Sequence, residues 1–299
     1  MTQLVPLHTA IGKIMDPRER LLAFIRDRDA IRRRRAGSHP VGKNIYGQPL
    51  WTLDPILTSY HFCNVRREDD RVTRWISEHW RTPNATDPDL WFAMLVARFV
   101  NWPDTLEHIG YPVPWDRERF LTRMSARRAG RLKCYGGAYV IRADSGTPGR
   151  ATAEYQDAMM FTPLWARRVT LRPQAGNTLN SYHMLLVQQF GLGSFMAAQI
   201  VADLKYVEPL RSAADWQTFA ASGPGSRRGL NRVLGYPKQA PWTEENWRLE
   251  LDRLRLWLAE RFQIDGELLH GQDVNNVLCE MDKYERVRLG EGRPRAKFP

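Results

Sequence analysis

The chain has 299 residues, of which 43% are hydrophobic and 26% charged, and its formal net charge is +11. This length and composition are typical of a globular protein with one large or two ordinary domains, and no run of about 18 apolar residues predicts a membrane span. The N-terminus lacks the apolar block of a secretory signal, and three isolated cysteines, Cys63, Cys134 and Cys279, form neither a disulfide framework nor a zinc pattern. We therefore expect a cytoplasmic protein whose arginine-rich surface attracts nucleic acid. The alternative is a positive surface that only keeps the protein in solution.

Apolar spacing and capping residues predict a mainly α fold. Helices are expected over residues 16–35, 69–81, 87–102, 114–130 and 241–262. The first begins at an Asp-Pro pair, the fourth has Asp116 as a cap, and the last has Thr243 as a cap. Its Trp247, Leu251, Leu254 and Leu258 form one stripe, which predicts a core face. The only strand expected is Ala138–Ala143, as a small β-hairpin inserted between helical blocks.

Turn-rich stretches divide the chain into three expected segments. Residues 1–50 are a basic helical N-terminal segment, and residues 51–175 are an N-terminal helical part with the short hairpin. Residues 176–299 are a C-terminal helical part with a basic tail.

The stretch "LLVQQFGLGSFMAAQIVADL", residues 185–204, predicts two short helices joined by Gly191-Leu192-Gly193. Glycine permits a positive φ in such a turn, and the amides at Gly193, Ser194 and Phe195 open the second helix, where a phosphate is favoured. The spacing hydrophobic-x-Gly-hydrophobic-Gly-xxx-Ala is that of the helix-hairpin-helix, which holds a DNA backbone phosphate without reading sequence. The alternative is a structural turn between packed helices.

The comparison with helix-hairpin-helix base-excision glycosylases fails at the nucleophile. Many of those enzymes carry a lysine shortly after the second glycine, whereas Ser194-Phe195-Met196 stand here. Asp203 comes ten residues after Gly193, earlier than the glycosylase aspartate, and Asp215 lies nearer the expected offset. We therefore expect a glycosylase-like scaffold with a different chemistry.

Four further segments are unusually polar for their apolar context. They are "WTLDPILTSYHFCNVRREDDRVTRW", "SGPGSRRGLNRVLGYP", which suggests a glycine-rich loop, "GQDVNNVLCEMDKYERVRLGEG", and "LKCYGGAYVIR" with Lys133 and Tyr139. In the third, helical spacing puts Asn276, Glu280 and Lys283 on one face, and Asp282 with Arg286 on another. The alternative for each segment is a solvated face with internal ion pairs.

Together these segments resemble the phage and bacterial DNA base-hypermodification proteins. That family includes the α-glutamyl/putrescinyl thymine pyrophosphorylases, also called amino acid:DNA transferases, and the helical domain found with hydroxymethyluracil DNA kinases. The resemblance rests on "WTLDPIL..Y.FCNVRREDDR", "FGLGSFMAAQIVADLKY", "SGPGSRRGL" and "DVNNVLCEMDKYERV", and runs from about residue 51 to 288. It implies a helix-hairpin-helix, DNA glycosylase-like helical fold.

The resemblance also implies a reaction, in which an amine or amino acid displaces pyrophosphate from a pyrophosphoryloxymethyl-uracil in DNA. This step requires an exposed base, cations for the leaving group and a carboxylate that accepts the proton of the amine. The expected catalytic residues are Asp203, Glu280, Asp282 and Lys283. The expected substrate- and pyrophosphate-binding residues are Asn64, Arg66, Arg67, Asp70, Gly223, Gly225, Arg227 and Arg228. The expected DNA-backbone contacts are Gly191, Gly193, Ser194 and Phe195.

No cofactor is certain, and a divalent cation could assist the leaving group; no metal-ligand spacing occurs among the histidines. The expected partners are DNA carrying a modified pyrimidine and the amine or amino-acid co-substrate. A separate hydroxymethyluracil DNA kinase is a further expected partner, because this chain lacks a Gly-xxxx-Gly-Lys-Ser/Thr loop. Two alternatives stay open: a helix-hairpin-helix DNA glycosylase or lyase, and a non-catalytic DNA-binding subunit of a base-modification complex.

Overall fold

The computed structural model describes residues 15–137 and 152–294. The chain divides into two compact units: Met1–Asp70 with Ala220–Pro299, called unit 1, and Arg71–Phe219, called unit 2. Helices dominate both units over the described residues, which confirms the mainly α fold class. No helix among these residues is long and apolar enough to cross a membrane.

The elements follow in chain order. They are α1 Pro17–Ala36, β1 Gly42–Lys43, β2 Pro49–Leu50, α2 Pro55–Ser59, α3 Arg71–Ile76, α4 Leu90–Val100, α5 Pro103–Ile109, α6 Arg117–Ala129, α7 Ala153–Gln156, α8 Thr162–Ala166, α9 Leu179–Val187, α10 Ser194–Leu204, α11 Pro224–Leu234, α12 Glu244–Ala259 and α13 Gly271–Arg288. Short 3-10 turns cover Arg67–Asp69, Arg168–Leu171 and Leu210–Ser212, and π-helical turns cover Ser77–Arg81 and Asp157–Phe161.

In unit 1, α1 packs with α11, α12 and α13 around one apolar core. Asp16 caps α1 by accepting hydrogen bonds from the amides of Arg18 and Glu19. The expected stripe of α12 is buried, because Trp247, Leu251, Leu254 and Leu258 all point into this core. Thr243 caps α12 through the amide of Asn246, as the sequence predicts. Local capping and periodicity therefore account for these helices.

A small antiparallel hairpin follows α1, with Gly42 opposite Leu50 and Lys43 opposite Pro49. The Asn44 side chain accepts hydrogen bonds from the amides of Tyr46 and Gln48, and Gly47 takes a φ of 75°. This hairpin lies within residues 1–50, for which the sequence predicts a basic helical segment. The expected strand Ala138–Ala143, including Tyr139, lies outside the described residues.

In unit 2, α4 is the central helix, and every one of its residues is buried. Around it Phe92, Trp115 and Phe161 form edge-to-face ring contacts, with centroids 5.4 to 6.3 Å apart. Asp116 caps α6 through the amide of Arg119, as predicted. The division of the chain at residues 50 and 175 stays a prediction. The chain passes from one compact unit to the other at residues 70/71 and 219/220.

Candidate functional site

The segment predicted as a glycine-rich loop is helix α11, which begins at Pro224. Gly225 and Gly229 lie on the helix face against α13: a Cβ on Gly225 would stand 2.5 Å from Cys279 Sγ, and one on Gly229 2.0 Å from the Leu278 carbonyl oxygen. These glycines therefore allow close helix packing, and a flexible loop is the wrong interpretation. The motif is nevertheless part of a site, because the first turn of α11 borders a cavity.

This cavity, which we call the cationic pocket, has a volume of about 350 Å³. Three of its wall residues are cations, Arg227, Arg228 and Lys238, and no described carboxylate is a wall residue. The other walls are Ser222, Gly223, Pro224, Asn231, Gln239, Ala240, Pro241 and Trp242. Such a concentration of positive charge favours an anionic ligand.

Each cation of the pocket is held by a carboxylate that is not a wall residue. Arg227 Nη2 lies 3.1 Å from Glu244, Arg228 Nε donates to Asp282 over 2.9 Å, and Lys238 Nζ lies 2.9 Å from Glu291. Arg227 also donates to Ser222 Oγ over 2.7 Å. These contacts fix the cations in position before a ligand arrives, which lowers the entropic cost of binding.

Asp282, the partner of Arg228, is buried. Its carboxylate accepts from Arg228 and, over 3.0 Å, from Arg232, and Arg286 Nε lies 3.6 Å away. The predicted catalytic Asp282 is thus surrounded by arginines and orients the wall of the pocket. A buried carboxylate in this position is a positioning residue.

The outer wall of the pocket is the loop 238–242, which folds back over α11. Buried Asn231 holds it in place: its side-chain amide donates to the carbonyls of Lys238 and Ala240, and its oxygen accepts from Trp242 Nε1 over 2.6 Å. The sequence analysis missed Lys238, Asn231 and Trp242. No local pattern marks them, because the pocket forms only when the loop returns to the helix.

A second cluster of polar groups lies on the opposite edge of α13, as the helical spacing predicts. Glu280 accepts from the amide of Cys63 over 3.0 Å and pairs with Lys283 Nζ at 2.5 Å. Asn276 donates to the carbonyl of Asn64 over 3.2 Å. The segment at 63–64 and the α13 motif, quoted separately from the sequence, therefore meet in unit 1.

Buried Arg28 of α1 faces this cluster, and the sequence analysis missed it. Its Nη2 donates to the carbonyls of Phe62 and Cys63 over 2.6 and 3.1 Å, while its Nε and Nη1 have no acceptor among the described residues. Burial lowers the pKa of Arg28, and the charge of Glu280 opposes this effect. Nε and Nη1 of Arg28 can therefore donate to a further acceptor.

Asp70 completes the cluster. Its carboxylate accepts from the amide of Asn64 over 3.0 Å. Burial raises the pKa of Asp70 to about 6; the Asn64 amide and Arg67 oppose the shift, and Glu280 adds to it. The Asp70 carboxyl is therefore partly protonated near pH 6, well above the range of an exposed aspartate.

Cys279 connects the cationic pocket with this cluster. Its thiol lies against Gly225 at the start of α11. Burial raises the pKa of Cys279, Glu280 raises it further, and Lys283, Asp282 and Arg228 also act on it. The pKa of the Cys279 thiol is thus affected both by Arg228 of the cationic pocket and by Glu280 and Lys283 of the α13 cluster.

Arg66 and Arg67 are not wall residues of the cationic pocket. Arg66 pairs with Asp69 at 3.2 Å and with Glu267 at 2.7 Å. The amide of Arg67 donates to Asp273 over 3.0 Å. In unit 1, these contacts hold the segment 66–70 against Glu267 and Asp273.

Asp203 belongs to unit 2, where it is an internal ion-pair residue. Its two carboxylate oxygens accept from Arg98 Nε and Nη2 over 2.6 and 2.5 Å, and both side chains are buried. Asp215, the other glycosylase-like offset, accepts from the amides of Leu179 and Asn180 at the start of α9. Both aspartates have structural partners in the same unit.

The turn between α9 and α10 contains Gly191 and Gly193, and we call it the elbow. Gly191 has a φ of 79°, whereas Gly193 has a φ of −66° and nothing within 4 Å of a Cβ added to it. Leu192 between them is buried, while Gly193, Ser194 and Phe195 are exposed. The His183 ring lies 3.0 Å from the Ser194 carbonyl oxygen and joins the two helices. The first residues of α10 are therefore exposed to solvent.

Among the described residues, no group of three or more His, Cys, Asp or Glu side chains has an arrangement that would hold a metal ion.

Comparisons with known proteins add a family relation. The family model described as "5-hmdU DNA kinase, helical domain" matches residues 17–293. The chain is similar to a 5-hmdU DNA kinase of Bacillus phage SP10, with 26% identity over 259 residues, covering 78% of this chain and 40% of the phage protein. The chain thus spans less than half the length of that relative. No solved structure matches.

Proposed function

Because the chain belongs to the family of the 5-hmdU DNA kinase helical domain, we propose that it modifies hydroxymethyluracil-derived bases in DNA as a pyrophosphate-displacing transferase. The family relation itself supports a role in phage DNA base modification. The reaction, its site and its co-substrate are our proposal. The substrate is a base whose exocyclic methylene carries a pyrophosphoryl group.

In the proposed step, the nitrogen of an amine or amino acid attacks the exocyclic methylene carbon. A C–N bond forms, the C–O bond to pyrophosphate breaks, and the bonding electrons leave with the pyrophosphate. The amine loses one proton to a carboxylate. The protein therefore has to neutralise the leaving anion and to accept one proton.

The cationic pocket supports the first requirement and is the observation on which the proposal depends. Arg227, Arg228 and Lys238 face one cavity, with their carboxylate partners behind them. A site built in advance in this way stabilises charge that develops as the bond breaks. The planar arginines also suit bidentate contacts to phosphate oxygens.

The cluster at α13 supports the second requirement. Glu280 is a buried carboxylate that already accepts from Lys283 and the Cys63 amide. We assign the proton acceptor to Glu280. Lys283 orients the Glu280 carboxylate.

We further propose that the exposed elbow at Gly193, Ser194 and Phe195 contacts a DNA backbone phosphate. The supporting observations are the open space at Gly193 and the solvent-facing start of α10. Backbone amides at a helix start bind phosphate irrespective of base sequence.

The test is mass spectrometry of nucleosides from pyrophosphorylated DNA that has been incubated with the protein and a panel of amines and amino acids. A new nucleoside with the mass of the amine adduct, together with released pyrophosphate, is the expected result. Free abasic sites would instead support a glycosylase.

A second candidate function is a non-catalytic DNA-binding part of a kinase assembly. The observation that favours it is the family description, since the relative is a kinase and the chain covers only 40% of its length. In that case DNA binding would persist and no nucleoside would change, with any co-substrate.

A further inference from the structure

A second cavity adjoins the cationic pocket. Its volume is about 600 Å³, and it shares the wall Ala240, Pro241 and Trp242 with the cationic pocket. Its remaining walls are Tyr236, Thr243, Asn246, Leu249 and Glu250. We call it the aromatic pocket; both cavities belong to unit 1.

The chemistry of the aromatic pocket differs from that of its neighbour. The Tyr236 and Trp242 rings lie 5.9 Å apart at an angle of 40°, and Tyr236 and Leu249 are 50% and 52% exposed. The carboxylate of Glu250 is paired with Arg253 at 2.5 Å, so the wall has little net charge. Exposed rings beside a cavity favour a flat apolar ligand, which stacks on them or packs against their edges.

The geometry points to one groove that binds a pyrimidine carrying a diphosphate group: the base lies against Tyr236, Trp242 and Leu249, and the diphosphate lies against Arg227, Arg228 and Lys238. The Asn246 amide offers a donor and an acceptor to the edge of the base. This inference rests on the proposed function for the identity of the diphosphate, and it adds the location of the base.

The shared wall supports a single ligand that occupies both pockets. In a pyrophosphoryloxymethyl-uracil, one methylene separates the ring from the diphosphate, so the apolar and anionic parts of the ligand adjoin each other. Trp242 contributes to both cavities, and its indole is fixed by Asn231.

The experiment is isothermal titration calorimetry of the full chain with three probes: inorganic pyrophosphate, the pyrophosphate ester of 5-hydroxymethyl-2′-deoxyuridine, which is the nucleotide probe, and putrescine. We expect the nucleotide to bind at least about tenfold more tightly than pyrophosphate, because one base–aromatic contact is worth that much. Tyr236→Ala should remove most of this gain and leave pyrophosphate affinity unchanged. Arg227→Gln should weaken both ligands.

Matched controls separate the groove from general effects of exposed apolar residues. Leu249→Ala should weaken only the nucleotide, whereas Leu256→Ala, on the same helix and also 52% exposed, should change nothing. Tyr46, exposed in the β1–β2 turn, is the corresponding control for Tyr236.

The outcomes distinguish this inference from the proposed function. If pyrophosphate binds but the nucleotide binds no better, and Tyr236→Ala has no effect, the base is not held here, while the leaving-group pocket stands. If neither pyrophosphate nor the nucleotide binds, the cationic pocket itself is wrong and both proposals fail. Binding of putrescine that depends on Tyr236 would assign the aromatic pocket to the amine and overturn the inference.

Discussion

Arg98 holds both carboxylate oxygens of Asp203 inside unit 2, and neither side chain reaches solvent. The sequence suggested Asp203 as a carboxylate that accepts the proton of the amine, although it stands earlier after Gly193 than the glycosylase aspartate does. The ion pair gives it a different role. Removing one partner leaves the other charge buried without compensation.

Asp203→Ala should therefore destabilise unit 2 by about 3–5 kcal/mol, since the Arg98 charge is left unpaired. Urea unfolding measures this change. The control is Glu154→Ala, which breaks the exposed pair with Arg128 and should cost no more than about 1 kcal/mol. If Asp203→Ala instead keeps wild-type stability and abolishes turnover, Asp203 belongs to the active site.

Glu280→Gln should reduce product formation by about 100- to 10,000-fold, because the amide cannot accept the proton of the amine. Affinity for DNA should change little. The matched control is Glu285→Gln on the same helix, whose buried carboxylate pairs with Arg288 at 2.6 Å and with Arg20 at 3.5 Å. Equal turnover in the two variants, measured by nucleoside mass spectrometry, would remove Glu280 from the reaction.

The raised pKa of Asp70 predicts a pH dependence of stability. The unfolded carboxyl titrates near 3.8 and the folded one near about 6, so between these values the folded state binds more protons. Stability should therefore fall as pH rises from about 4 to 6, by at most about 3 kcal/mol from this group. Urea unfolding of the wild type and of Asp70→Asn at pH 4, 5, 6 and 7 tests the sign. Parallel curves for the two proteins would contradict the assignment.

The double variant Arg227→Gln/Arg228→Gln should weaken binding of DNA that carries the pyrophosphorylated base and flatten the salt dependence of that binding. Each lost phosphate contact lowers the slope of log affinity against log salt by about 0.7 to 0.9. Fluorescence anisotropy at several salt concentrations measures the slope. The control is Arg261→Gln, whose side chain pairs with Glu260 at 2.6 Å and lines neither pocket. An unchanged slope in the double variant would limit both arginines to their internal ion pairs.

The two glycines of the elbow should respond differently to alanine. Gly191→Ala forces a side chain into a positive φ against Met160 and should cost about 1–2 kcal/mol of stability. Gly193→Ala has room and an ordinary φ, so its melting temperature should stay unchanged. If a phosphate lies against this turn, however, Gly193→Ala should weaken DNA binding by roughly fivefold or more. Unchanged DNA affinity in Gly193→Ala would make the turn purely structural.

Features that depend on residues close together in the sequence could be predicted from it. Asp16, Asp116 and Thr243 cap their helices as expected, and the face of α13 with Asn276, Glu280 and Lys283 is correct. A cap or a helical face depends on residues within a few positions, so the sequence contains it.

Features that depend on contacts between residues far apart in the sequence could not be predicted from it. Arg98 lies 105 residues before Asp203, and the spacing around Asp203 gives no hint of it. The glycines of α11 suggest a loop until α13, about 50 residues later, is known to pack on them. Lys238 joins the cationic pocket only through the returning loop that Asn231 holds.

Unit 1 is assembled from the two stretches that flank unit 2. During synthesis, α1 therefore leaves the ribosome long before α11, α12 and α13 exist, and for that period its apolar face can pack only against nearby residues such as Phe62. Unit 2 is one continuous stretch of the chain, and it is fully translated before α11 begins. The α11–α12 cavities and α13, which supports them, are translated after unit 2, so a chain that stops before α13 would lack the support of the cationic pocket even where unit 2 had already folded.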